Sequence, residues 1–251
     1  MVHIVGAGCG APDLITLRGK RQLEEADVII YAGSLINTEL LSYAKEGCEL
    51  YDSAKMTLEE TTAVAERAER EGKTTVRLHT GDPSLYGAIG EQMREFDRLG
   101  IQYDITPGVS SFSGAAAALK AEYTVPDVSQ TVIITRSAGR TPVPEKEKLS
   151  SLAAHGATMV LFLSTGLLDK VTAELTEGGY SADTPAAIVY KASWEDEKVC
   201  RCTVGTLKQT ADDNGIKKTA LIVVGRFLEN GDTRSLLYDP GFTTEFREAS
   251  K

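Results

Sequence analysis

The chain has 251 residues, of which 42% are hydrophobic and 25% charged, the balance of an ordinary folded protein; this excludes a disordered tail or a collagen-like chain. Its formal net charge is −9, and acidic surfaces repel phosphate backbones, so a nucleic-acid partner is disfavoured while a small polyanion in a local basic cleft is not. No apolar run is long enough to cross a bilayer, so no membrane partner is expected.

Elements alternate from the start. Met1-Val2-His3-Ile4-Val5 opens directly as a strand with no basic stretch before it, so no signal peptide is expected. Thr16 to Glu25 reads as a helix with Leu17 and Leu23 inward, followed by a strand over Val28 to Tyr31. Leu58 to Glu71 has helical spacing through Val64 and Ala68, with Thr57 as N-cap and Glu60 completing a capping box. Thr75 to His79 is a strand, Ala88 to Leu99 a helix and Gln102 to Ile105 a further strand. This rhythm predicts an α/β protein with a mostly parallel sheet covered by helices. Ala121 to Ser129, with Pro126 and little periodicity, reads as a linker. Beyond it, Val132 to Thr135, Met159 to Leu163 and Ala186 to Tyr190 are apolar strands separated by helical stretches. Lys198 to Thr203 and Ala220 to Val224 flank a short helix and suggest antiparallel additions. The expected organisation is two α/β domains, 1–120 and 130–251, joined by the linker 121–129, with a ligand cleft between them.

The four cysteines, Cys9, Cys48, Cys200 and Cys202, are too sparse for a secreted disulfide framework, so reduced thiols in a cytosol are the simpler expectation. Cys200 and Cys202 share a strand face but lack a second pair, and His3, His79 and His155 have no ligand spacing. No metal site is expected.

Three glycine-bearing segments follow strands. Gly6-Ala7-Gly8-Cys9-Gly10-Ala11 satisfies a loose dinucleotide pattern. However, Pro12 and Asp13 prevent a helix from opening where a pyrophosphate needs one, and strand two ends Tyr31-Ala32-Gly33 without an acid for a ribose. His79-Thr80-Gly81-Asp82-Pro83-Ser84-Leu85-Tyr86-Gly87 leaves a strand and enters a helix, with Pro83 suited to the helix start. Thr106-Pro107-Gly108-Val109-Ser110-Ser111 is again strand into helix, its two hydroxyls able to bind a polar ligand or simply to cap.

In order and spacing, Val5 to Thr16, Gly81-Asp82-Pro83 and Pro107 to Ser111 resemble the three signatures of the tetrapyrrole methylase family. Tyr31 to Leu35, Leu78 to Ile89, Gln130 to Arg136 with Gly139 to Pro142, and the tail Leu237 to Phe242 are similar to its precorrin-4 branch. Cys9 stands where the family usually has proline, and Ala32 where relatives acting on uroporphyrinogen carry aspartate.

The resemblance implies two dissimilar α/β domains, normally in a cytoplasmic homodimer, with S-adenosylmethionine as methyl-donor co-substrate in the cleft. It implies methylation of carbon 11 of precorrin-4 or its cobalt form in cobalamin biosynthesis, or, as the alternative, of another corrin position. Carried over by position, the donor contacts are Cys9, Thr80, Gly81, Asp82, Leu85, Ser110, Ser111, Leu163 and Ala192. Because the substrate carries several carboxylates, Arg136 and Arg140 are the candidates to bind it. Attack by an electron-rich ring carbon on an activated methyl needs no strong base, so no catalytic acid or base is assigned.

Overall fold

A computed structural model describes residues 1–229 and 235–250. Its first half lays down β1 (Val2–Gly6), α1 (Leu17–Glu25), β2 (Val28–Tyr31), β3 (Glu49–Asp52), α2 (Leu58–Arg70), β4 (Thr75–His79), α3 (Ile89–Leu99), β5 (Tyr103–Thr106) and α4 (Ser111–Leu119). The five strands form one sheet in the order β3-β2-β4-β1-β5, and every pairing is parallel. A parallel sheet is covered on both faces, which is why its central strands read as apolar runs rather than alternating ones. Along β1, Val2 and Ile4 pack with Ala65 and Phe96 on one face, while Val5 joins Leu23, Ile29 and Leu78 on the other.

The second half supplies β6 (Val132–Thr135), α5 (Leu149–Ala153), β7 (Thr158–Leu161), α6 (Leu168–Glu177), β8 (Pro185–Tyr190), β9 (Lys198–Thr203), α7 (Leu207–Asp213) and β10 (Ala220–Val224). They build a mixed sheet in the order β6-β7-β10-β8-β9, with β6 and β7 parallel and the other pairs antiparallel, as the sequence suggests for β9 and β10. Cys200 and Cys202 pack against the core of this sheet. The four cysteines are free thiols.

By contact clustering the chain forms two units, Met1–Ala115 with Lys191–Glu197, and Ala116–Tyr190 with Lys198–Lys251. Segment 121–129 contains no helix or strand, and Tyr123 in it is buried with its ring 5.1 Å from that of Phe227.

Several local expectations differ from the structure. Leu17 is 88% exposed, because the face of α1 turned to the sheet carries Gly19, Gln22 and Leu23, and a residue six positions before Leu23 lies well around the helix from it. Pro83 does not open α3: the chain turns through residues 83–88 and the helix starts at Ile89, after Ala88 at φ +50°. β7 stops at Leu161, and Leu163 takes φ +51°, which no strand residue can hold. β3 escapes sequence reading because Glu49-Leu50-Tyr51-Asp52 is a half-exposed edge strand without an apolar run.

Candidate methyl-donor site

Strands β4, β1 and β5 are adjacent and parallel, so the segments leaving their carboxyl ends emerge side by side, the usual place for a ligand in an open α/β sheet. These segments form loop 1 (residues 7–16), loop 2 (80–88) and loop 3 (107–110). Loops 1 and 2 are stitched by reciprocal backbone bonds: the Gly8 amide donates to the Gly81 carbonyl at 3.3 Å and the Gly81 amide to the Gly8 carbonyl at 3.0 Å. Both glycines are left-handed, at φ +83° and +60°.

Gly6, Gly81 and Gly108 meet backbone to backbone. A β-carbon on Gly6 would lie 2.6 Å from the Gly108 Cα and from the Gly81 carbonyl oxygen, and one on Gly108 would collide with that same oxygen. A β-carbon on Gly81 would lie 3.5 Å from the Ser111 amide nitrogen, so loop 2 faces the amino end of α4. That end carries the positive pole of the helix dipole.

Asp82 spends both carboxylate oxygens on this framework. Oδ2 accepts from the Gly108 amide at 2.9 Å, while Oδ1 accepts from the Ser84 amide at 2.9 Å and from the Ser84 hydroxyl. Partial burial pushes its pKa up, but the bonds from Ser84 and Gly108 outweigh that and leave it below the usual carboxylate value. The Thr80 hydroxyl donates to the Leu35 carbonyl at 3.0 Å, and the Leu85 amide to the Asp82 carbonyl at 3.2 Å. Ser110 is buried, and its carbonyl accepts from the Ser113 and Gly114 amides in the first turn of α4. Beneath the junction His79 is buried, and its pKa falls to about 3, first through burial and then through the Arg77 charge, so the ring is neutral.

Residues 1–208 match the model of the Tetrapyrrole (Corrin/Porphyrin) Methylases. The chain belongs to the tetrapyrrole methylases. Among its relatives, the cobalt-precorrin-4 C(11)-methyltransferase of Methanocaldococcus jannaschii is 56% identical over all of this chain and 97% of its own length. The precorrin-4 C(11)-methyltransferase of a Sinorhizobium species is 46% identical over 98% of each. A crystal structure of a cobalt-precorrin-4 methyltransferase, itself 50% identical, superposes with a TM-score of 0.89 over 91% of this chain and 95% of that one. The protein is thus a methyltransferase enzyme with the two-sheet fold of that family.

In this tetrapyrrole methylase, Cys9, Thr80, Gly81, Asp82, Leu85, Ser110 and Ser111 lie on the three loops and the start of α4. Ala192 joins them from far along the chain: it groups with the first unit, and a β-carbon on Gly114 of α4 would lie 2.8 Å from Cys9 Sγ and 3.3 Å from Ala192 Cβ. Leu163 belongs to the second unit, where its left-handed backbone follows β7 and the residue is 69% exposed. Non-glycine residues keep that conformation where surroundings over-determine it, commonly at ligand sites. Arg136 follows β6, the parallel neighbour of β7, and its guanidinium donates to the Thr141 carbonyl at 3.1 Å and the Pro142 carbonyl at 2.6 Å. Arg140, on the loop so braced, is exposed.

Two further groups at these loops carry no sequence signal of their own. Ser193 and Trp194 contact loop 1 from 182 or more residues away, where neither periodicity nor a motif points to them. Gly114 could have been suspected, as a glycine inside an alanine-rich helix usually marks a close approach. Among the described residues, no group of three or more His, Cys, Asp or Glu side chains could hold a metal, and no helix is long and apolar enough to cross a membrane.

Proposed function

We propose that the enzyme transfers the methyl group of S-adenosylmethionine to carbon 11 of precorrin-4 or cobalt-precorrin-4 in cobalamin biosynthesis. The observation that carries this reading is the near-complete coverage by relatives named for that reaction, together with the glycine junction at the ends of β4, β1 and β5. The loops fit such a donor. Side-chain-free backbone at Gly81 admits close approach, and the amino end of α4 suits a carboxylate. Cys9, Thr80, Gly81, Asp82, Leu85, Ser110, Ser111, Leu163 and Ala192 would hold the donor.

When bound, the donor supplies a methyl on a cationic sulfur, displaced in line by a ring carbon. The residues of the chain then have to bind and orient, and proximity alone is worth several kcal/mol, up to about 7–11 in well-oriented systems. Neither His79, held neutral and buried, nor Asp82, committed to Gly108 and Ser84, is placed as an acid or base here. Arg140 and Arg136 would take substrate carboxylates, Arg136 while shaping the loop that presents Arg140. By resemblance to the family, the enzyme would act as a cytoplasmic homodimer; light scattering on the purified chain reads the oligomeric state.

The deciding experiment incubates the protein with donor and precorrin-4 or its cobalt form. Mass spectrometry should show a gain of one methyl at carbon 11, and calorimetry should show uptake of S-adenosylhomocysteine. Absence of product with either acceptor would sink the substrate assignment, and absence of uptake the donor assignment.

A further inference from the structure

Short-range bonds shape only the far half of loop 1, where the Leu14 amide donates to the Ala11 carbonyl at 3.1 Å and the Ile15 amide to the Pro12 carbonyl at 3.3 Å; the half around Gly10 is held from a distance. The Ala11 amide donates to Ser193 Oγ at 3.0 Å, and Cys9 Sγ lies 3.3 Å from the same hydroxyl. One side chain therefore fixes the loop on both sides of Gly10. Gly10 is itself confined: a β-carbon there would lie 2.6 Å from the Ala192 carbonyl oxygen and would collide with the Trp194 ring.

The segment that supplies these contacts, Lys191–Glu197, leaves β8 and clusters with the first unit. Its own geometry is tightly determined. The Ser193 amide donates to Glu197 Oε2 at 2.6 Å, the Trp194 amide to the Lys191 carbonyl at 3.0 Å, and Lys191 Nζ to Asp196 Oδ2 at 2.7 Å. Lys191 and Ser193 both sit at positive φ, +46° and +66°, on either side of Ala192. Two non-glycine residues in that region within three positions mark a conformation imposed by surroundings, a pattern that gathers at ligand clamps.

We infer that Ser193, braced by Glu197, is a positioning residue for methyl transfer: its hydroxyl locks Cys9 and Ala11 so that loop 1 meets the donor in one shape. This rests on the reading that loop 1 contacts the donor. Pre-setting a loop spares the ordering cost at binding, so its loss should show in donor affinity before anything else. Trp194 closes the other side of Gly10, which leaves Ser193 as the point where a small change separates loop shape from packing.

The test uses the full chain with Ser193→Ala, Ser193→Gly and Glu197→Ala. Glycine tolerates φ +66°, so Ser193→Gly removes the hydroxyl without backbone strain. Glu197 is exposed, so its replacement leaves the core intact. Calorimetry with S-adenosylhomocysteine should show weakening of about five- to tenfold for both Ser193 variants, the effect of one lost hydrogen bond. A smaller weakening in the same direction is expected for Glu197→Ala. In turnover, KM for the donor should rise while KM for the tetrapyrrole stays put. Variants that melt like the parent yet bind the product within twofold of it would overturn the inference, as would equal rises in both KM values. If the parent chain itself takes up no product, the donor reading has failed instead, so the two failures are told apart.

Discussion

At the residue scale the glycine junction makes the sharpest statement. Gly108 and Gly81 touch one another, yet for different reasons each must be glycine: Gly108 lacks room, whereas Gly81 lacks freedom of φ. Gly108→Ala would drive a β-carbon into the Gly81 carbonyl oxygen with backbone on both sides, a rigid clash of the kind that costs about 3 kcal/mol or more. Gly81→Ala has 3.5 Å of clearance and pays only the left-handed backbone, about 1–2 kcal/mol. Urea denaturation of the two variants should rank them in that order, and a milder Gly108→Ala would mean that loop 3 yields more readily than its contacts imply. Asp82 shows how a motif residue can be legible while its work is not. Its place in the signature was readable in the sequence, but its bonds to Ser84 and Gly108 show it bracing loops 2 and 3.

At the element scale, a helix is legible in the sequence where its ends carry side-chain signals. Thr57 caps α2, its Oγ1 accepting from the Glu60 amide at 3.3 Å while Glu60 Oε2 accepts from the Thr57 amide at 2.8 Å, as the spacing predicts. Thr57→Ala should therefore cost about 1 kcal/mol of stability, and a shift in the chemical-denaturation midpoint with unchanged slope checks it. A loss well below that would show that tertiary packing of Ala65 and Ala68, both fully buried, holds the helix without its cap. By contrast α3 begins six residues after Pro83, because Tyr86 and Ala88 take left-handed backbone that no composition rule foretells. β3 illustrates the same limit from the other side, as its pairing with β2 is supplied by the sheet and not by its own residues.

At the scale of the whole molecule, His79 and Glu49 carry the largest shifts among the groups that respond to acid. His79 is held neutral down to about pH 3, by burial first and by Arg77 second, whereas an unfolded histidine takes a proton near its usual value of about 6.5. Between those values the unfolded chain binds the extra proton, so stability falls as pH falls. Glu49 is held near 2 by hydrogen bonds from Tyr51, Lys73 and Arg67; its contribution is full above the usual carboxylate value and is lost as pH drops toward 2. The melting temperature should therefore decline already between pH 7 and 5, and His79→Gln should flatten that limb while leaving the steeper fall below pH 4. An unchanged slope between pH 7 and 5 in the variant would remove His79 as the cause.

What the chain determined by sequence alone was everything written in short range: the alternation of strand and helix, the cap of α2, and three glycine loops whose residue types already matched a methylase. Tertiary structure decided which distant groups brace loop 1. Ser193 and Trp194 reach loop 1 because Lys191–Glu197 groups with the first unit, although β8 just before it pairs within the second sheet. The reason is physical: periodicity and capping act over three or four residues, whereas a hydrogen bond across 182 residues exists only once the chain has folded.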